Sequence, residues 1–341
     1  MSSTSINLER YPLQRSPLYR LGRAVDLAML LKLSPKQLKS LIVRRKGLYS
    51  FREQLIDTKQ RSLAIPIRDM RSVHERLKRL FERIQLGEYI YSPRKGRSTI
   101  VNATLHEKSV RVVKLDIKQF YPSTTEEHVF QFFRYRMGMV DDVAGRLTKI
   151  CTINGRVPFG SPLSPILCAL VHDDVFSKVA EKCAVHEAQM SLWVDDVTIS
   201  SSDVAVGIVR DVNRLLRAKR LIVHKAQRRA VNKGVVVTGI FLGSKGAAPA
   251  NKLHTKSREK LLELNAPETD RQRKMELAGS LIGSANHALK IYPKNGAQYA
   301  RAAARRAWLH SLRKDLRASL SSQTGRGYVV DDTLTDTSPW E

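Results

Sequence analysis

In LWVDDVTIS, residues 192–200, two adjacent acidic residues separate two short runs of apolar and β-branched side chains. Met190–Val194 and Val197–Ser201 therefore read as two strands joined in a tight hairpin at Asp195 and Asp196. By itself, an acidic pair in a turn is ordinary turn chemistry. A stretch upstream changes its meaning. VKLDIKQFYPS, residues 113–123, closes a β-branched run from Val110 to Ile117 that reads as a buried strand ending on Asp116. A strand end beside a hairpin turn offers carboxylates from separate rigid elements. Two Mg²⁺ ions about 4 Å apart need oxygen ligands arranged in this way, one ion to activate an attacking hydroxyl and the other to hold a triphosphate. Asp116, Asp195 and Asp196 are the candidate ligands.

Around this acidic centre the chain is strongly basic. Its 341 residues include 59 Lys and Arg against 32 Asp and Glu, a formal charge of +27 that exceeds what solubility requires and implies a polyanionic partner, nucleic acid first among them. The charge is unevenly placed: residues 1–115 hold 25 basic and 9 acidic side chains, 116–209 hold 8 and 12, and 210–320 hold 25 and 7. An acidic middle between two basic flanks suggests a carboxylate centre bordered by surfaces that grip a phosphate backbone, whereas any single Lys or Arg taken alone reads first as part of a solvated face. The length predicts two or three lobes in one architecture, and 42% hydrophobic residues suffice for a core. No apolar run approaches a membrane span and MSSTSINLERYPLQR lacks a signal-type apolar stretch, so a cytoplasmic location is expected, with no membrane partner. Cys151, Cys168 and Cys183 show neither paired nor zinc-ligand spacing and are expected to be reduced and buried.

Apolar periodicity predicts helix over 18–46, renewed after Ser34-Pro35, and over 70–86. A basic turn lies between Pro93 and Gly96. Ser123, Thr124 and Glu126-Glu127 predict a capping box for the helix carrying Val129, Phe130, Phe132 and Phe133. The Gly155–Pro165 loop is expected to lead into one long helix from about Ser164 to Ala184. Further expectations are helix over 204–219, strand over Val235–Leu242, basic helices beyond, and a flexible polar tail from Ser321.

The segments VKLDIKQFYPS, VPFGSPLSPILCAL (157–170) and LWVDDVTIS resemble, in order and spacing, the palm motifs of reverse transcriptases, over roughly residues 50–290. More narrowly, NATLH (102–106) and VTG (237–239) are similar to elements of the bacterial retron reverse transcriptases, and KQRSLAIP (59–66) to the family's fingers motif. The sequence departs from the family pattern at Trp193 in place of Tyr, Phe159 in place of Gln, and Ala169 in place of Asn. The resemblance implies an α+β right-hand polymerase. It would have N-terminal helices and fingers in 1–110, a palm with an antiparallel sheet and the catalytic motifs in 111–245, an RNA-binding helical thumb in 246–320 and a flexible acidic tail in 321–341. It makes Asp116, Asp195 and Asp196 the catalytic carboxylates and ligands of two Mg²⁺, with Mn²⁺ as a substitute and Ile117 adding a backbone carbonyl.

Tyr121 occupies the position where an aromatic ring would clash with a ribose 2′-hydroxyl, which favours dNTPs. Gly160, after Phe159, lets the backbone approach base and sugar. Lys59 and Arg61 are candidates for the triphosphate. Lys225 sits where the family's motif D lysine would protonate pyrophosphate, with Arg228 the alternative if the alignment slips by three. Asn102 and His106 read either as a helix cap and a core histidine or, with Val237, Thr238 and Gly239, as groups that recognise RNA. Arg301, Arg305 and Arg306 are expected to hold RNA phosphates. Retron resemblance further implies a dedicated structured RNA as template and primer, priming from a 2′-hydroxyl, a branched RNA–DNA product (msDNA), and anti-phage defence with a separate effector protein. The alternatives are an abortive-infection or intron-type reverse transcriptase, or a catalytically silent RNA-binding scaffold. No maturase or endonuclease segment follows within the sequence, which weighs against the intron type.

Overall fold

The computed structural model describes residues 9–56, 59–202 and 206–318. The expected tail at 321–341 lies outside them. The described residues divide into two compact units, one formed by those within 9–97 and 113–228, the other by those within 98–112 and 229–318.

The first unit is built on a five-stranded sheet in the order β3-β5-β6-β4-β7, with β3 at Ile90–Ser92, β4 at Arg111–Ile117, β5 at Gln189–Trp193, β6 at Asp196–Ser201 and β7 at Val223–Ala230. A separate antiparallel hairpin precedes it, β1 (Tyr49–Ile56) with β2 (Lys59–Pro66), so the basic KQRSLAIP segment is a strand. The β5–β6 hairpin pairs Trp193 with Asp196 and Met190 with Ile199. Val113, Leu115 and Ile117 are buried while Lys114 and Asp116 between them stay half-buried, the period of two that a strand imposes. Against the sheet pack helices whose aromatic residues Phe81, Phe132, Phe133 and Phe176 are fully buried, each contributing about 2–3 kcal/mol by area removed from water.

Three expectations change here, each for a local reason. The N-terminal helix splits into Ala24–Leu31 and Pro35–Val43, because Lys32 turns left-handed and Ser34 opens a new capping box with Gln37. The long helix expected over 164–184 breaks at His172, whose ring is drawn into the core by the Thr124 hydroxyl at 2.9 Å, leaving helices Ser164–Val171 and Asp173–Val185. The capping box lies one residue later than expected. Ser123 closes the short Phe120–Ser123 turn and the Thr124 hydroxyl faces His172, so Thr125 caps Glu126–Gln131 with His128 as its reciprocal partner.

In the second unit, Val235–Leu242 is two strands, not one. β8 (Val235–Val237) and β9 (Ile240–Gly243) form a hairpin whose two-residue turn, Thr238-Gly239, has positive φ at both positions, 46° and 83°. This is the primed turn that matches the twist of paired strands. β10 (Gly246–Pro249) extends the sheet, and the Thr99–Thr104 helix buries Ala103 among Val231, Val235, Val237, Ile240 and Leu242. Helices Asn251–Asn265, Arg271–Ile291 and Ala297–Ala318 follow around a core containing Leu264, Leu277, Leu281 and Leu309. All three cysteines are free thiols and buried, as expected. Among the described residues no helix is long and apolar enough to cross a membrane.

Candidate active site

Asp116 meets the acidic pair through the backbone. The amide of Ile117, at the end of β4, donates to the carbonyl of Asp195 at 3.0 Å, tying the strand end to the hairpin turn. Val194 enters that turn with φ 58°, a left-handed conformation that is costly for a β-branched residue and persists because the flanking strands fix both of its ends. The carboxylates therefore come from two rigid elements held together without relying on their own side chains.

The electrostatics follow from this crowding. Burial, then the neighbouring Asp196 and Asp116, push the Asp195 carboxyl up to about 6 from an ordinary value of 3.8, with Arg61 opposing. Asp196 is also raised, first by burial and then by Asp116, while Lys114 pulls it the other way. Carboxylates that repel one another in a half-buried setting gain most from a shared divalent cation, and hard oxygen donors suit Mg²⁺ or Mn²⁺. The donor set thus fits the expected ions, although among the described residues no three acidic, histidine or cysteine side chains already close into a ready cage.

Beside the carboxylates stands an aromatic and basic stack. Tyr121 lies parallel to Phe159 with ring centroids 5.6 Å apart, and the Arg61 guanidinium sits 5.4 Å from the Phe159 ring. The Phe159 carbonyl accepts from the Ala64 amide at 2.8 Å, so β2 is bonded to the loop before helix Ser164–Val171. Gly160 follows with φ +116°, and a Cβ there would stand 3.1 Å from Ile65 Cγ1, so both its conformation and its neighbour call for glycine. Arg61, Tyr121, Phe159 and Gly160 are thereby gathered together, with Arg61 and Tyr121 near enough to Asp195 to interact with its charge. Lys59 is the first residue of the same strand β2.

Lys225 is not brought to the centre in the expected way. It stands on β7, a strand and not a loop, and the residue whose ring faces Asp116 is its neighbour His224, with Nδ1 3.8 Å from Oδ2. Adjacent strand residues point to opposite faces, so Lys225 projects away from that carboxylate. His224 and Lys114 are the site residues that sequence reasoning missed. β7 reads VHKAQRRA and is exposed along most of its length, without the apolar alternation that would mark a strand.

In the second unit the two short motifs meet across 136 residues of sequence. Asn102 Nδ2 donates to Thr238 Oγ1 at 3.3 Å, and the Thr238 hydroxyl donates to the Thr99 carbonyl at 2.9 Å. Asn102, His106 and Val237 are nevertheless completely buried. Direct contact between their side chains and RNA is ruled out in this conformation, and the expectation is corrected. Asn102 braces the hairpin turn through Thr238, and burial lowers the His106 pKa to about 4, which keeps its ring neutral. Thr238 is half-buried and Gly239 is exposed at the tip. On helix Ala297–Ala318, Arg301 and Arg306 are exposed and Arg305 is half-buried.

Carboxylates at a strand end and a hairpin turn thus stand beside a cation and an aromatic stack on a polymerase-like α+β fold. Residues 53–243 match the family described as reverse transcriptase (RNA-dependent DNA polymerase), and the chain belongs to that family. Its curated relatives include the Retron Se72 reverse transcriptase of Salmonella heidelberg (strain 579083-10), 27% identical over 175 residues that cover 50% of this chain and 46% of that protein. Others are the Retron Ec86 reverse transcriptase of Escherichia coli, at 23% over 52% and 57% of the two chains, and the Retron Ec83 reverse transcriptase of Escherichia coli, at 25% over 32% and 38%. The chain spans about half the length of the curated relatives it matches. The likeness to bacterial retron-type reverse transcriptases seen in the motifs is borne out by these relatives and by the family match.

Proposed function

We propose that this protein is an RNA-directed DNA polymerase of retron type. The observation that carries the reading is the bond from the Ile117 amide to the Asp195 carbonyl, which joins three carboxylates at one end of the sheet. Asp116, Asp195 and Asp196, with the Ile117 carbonyl, would hold two Mg²⁺ ions. When bound, such ions acidify a primer hydroxyl and neutralise the charge of a leaving pyrophosphate. Arg61, assisted by Lys59, binds the triphosphate of the incoming dNTP. Tyr121, stiffened by stacking on Phe159, fills the space a ribose 2′-hydroxyl would need, and Gly160 lets the loop backbone approach the nucleotide. His224, beside Asp116, is better placed than Lys225 to exchange a proton at the reaction centre.

Residues 1–110 would serve as N-terminal helices and fingers, 111–245 as palm and 246–320 as thumb, with Arg301, Arg305 and Arg306 on template phosphates. A dedicated structured RNA would act as template and primer, starting from a 2′-hydroxyl and yielding branched msDNA, in cytoplasmic anti-phage defence with a separate effector protein. The net charge of +27 supports a polyanionic partner.

The test is primer extension with Mg²⁺ on an RNA template, comparing dNTPs with rNTPs, together with sequencing of copurifying nucleic acid. Wild-type protein should incorporate dNTPs, Asp196→Asn should lose incorporation while retaining RNA binding, and Tyr121→Ala should admit rNTPs. Absence of dNTP incorporation by wild-type protein bound to its own copurified RNA would leave the scaffold reading instead.

A further inference from the structure

His74 is fully buried in helix Arg68–Phe81 and lies outside the carboxylate centre, yet its ring joins three segments. Nε2 lies 2.9 Å from the Ile150 carbonyl, at the end of helix Asp141–Cys151, and 3.3 Å from the Tyr49 hydroxyl at the start of β1. Nδ1 lies 2.6 Å from Ser161 Oγ. A carbonyl can only accept, so Nε2 carries the hydrogen and donates to Ile150. Burial lowers the imidazole pKa to about 4, so the ring is neutral near pH 7 and Nδ1 is left as an acceptor. Ser161 must therefore donate to His74, and its oxygen is free to accept the Leu163 amide at 3.1 Å. Ser164 Oγ closes the same loop by donating to the Pro158 carbonyl at 2.6 Å.

Ser161 directly follows Gly160, whose neighbour Phe159 is bonded to Ala64 on β2. The loop is thus pinned on one side by β2 and on the other by the histidine. We propose that His74 is a positioning residue for nucleotide binding, acting through Ser161 to fix the Phe159–Gly160 backbone at the height the incoming nucleotide requires. An imidazole suits this task because it spans a carbonyl and a hydroxyl with opposite hydrogen-bond polarity at a rigid separation. The inference rests on the polymerase reading for its kinetic consequence, but not for the mechanical one.

The experiment compares wild type, Ser161→Ala, His74→Phe and the double variant. In steady-state extension, Ser161→Ala should raise the dNTP KM about fivefold, the loss expected for one neutral hydrogen bond, with kcat and template affinity little changed. The double variant should raise the dNTP KM by less than the product of the two single effects, since the His74–Ser161 bond is already lost in each single variant. Independently of activity, amide hydrogen exchange across residues 159–164 should quicken in His74→Phe, which leaves the Ser161 hydroxyl in place for the Leu163 amide, and ¹⁵N spectra of wild type should show His74 as the Nε2–H tautomer. Inactive wild-type protein would refute the polymerase reading, and the exchange and tautomer measurements would still decide the positioning role. Unchanged exchange in His74→Phe, or an Nδ1–H tautomer, would overturn it.

Discussion

Replacing Asp195 with Asn should make the protein more stable while removing its catalysis. In the folded state burial and the adjacent carboxylates hold Asp195 at about 6 against an ordinary 3.8. A gap of about 2 units corresponds to about 3 kcal/mol, and solvent screening at a half-buried site brings the measurable part to about 1–2 kcal/mol. The sign follows from proton linkage. Between pH 3.8 and about 6 the folded state binds more protons here than the unfolded state, so stability is lost as pH rises through that window and stays lost above it. Asn carries no charge at any of these pH values and escapes the loss. With metal removed by chelator, Asp195→Asn should therefore melt above wild type at pH 8 by about 2–8 °C, taking about 2–4 °C per kcal/mol for a unit of this size. Near pH 4 the difference should shrink towards zero, because wild-type Asp195 is then protonated in the fold. Addition of Mg²⁺ at pH 8 should raise wild type more than the variant, since the cation offsets the same repulsion. A variant that melts at or below wild type at pH 8, or a difference that persists unchanged at pH 4, would refute the account of the carboxylate cluster.

Gly160→Ala should cost about 1–3 kcal/mol in urea denaturation, because φ +116° excludes ordinary L residues and the added Cβ meets Ile65 Cγ1 at 3.1 Å; a change under about 0.5 kcal/mol would show that the loop relaxes freely. Exchanging Arg301, Arg305 and Arg306 for Gln should weaken binding of cognate and unrelated RNA alike and flatten the salt dependence by about 0.7–0.9 in slope for each phosphate no longer neutralised. A salt series of filter-binding titrations checks this, and an unchanged slope would remove these residues from the interface.

The carboxylate pattern was legible because it is written in local periodicity. A β-branched run ending near Asp116 and a short hairpin at the acidic pair need no knowledge of distant residues, and the structure has both, with the turn one residue earlier than expected, at Val194-Asp195, and Asp196 the first residue of β6. Element boundaries were less legible where a side chain serves a distant partner. The break at His172 depends on Thr124, which lies 48 residues away and is itself withdrawn from the capping role expected of it. The Thr238-Gly239 turn did carry a local signal, a glycine in a two-residue gap between two apolar runs, which a single strand over 235–242 leaves out of account. β7 had none, since an edge strand exposed along most of its length keeps its polar residues.

From sequence alone come the basic flanks, the three carboxylates and the order of the motifs, because charge and short-range periodicity are properties of the chain itself. Folding decides which side chains those motifs expose. Asn102 and His106 have the hydrogen-bonding edges of RNA-reading residues, and only the packing of this segment reveals that both are sealed inside, Asn102 bracing a turn through Thr238. His224 in place of Lys225 at Asp116, and His74 behind Gly160, are likewise invisible until strand pairing and helix packing set their directions. The physical reason is the same in each case: composition records what a side chain can bond to, whereas burial and register, which depend on residues far apart in the chain, determine what it does bond to.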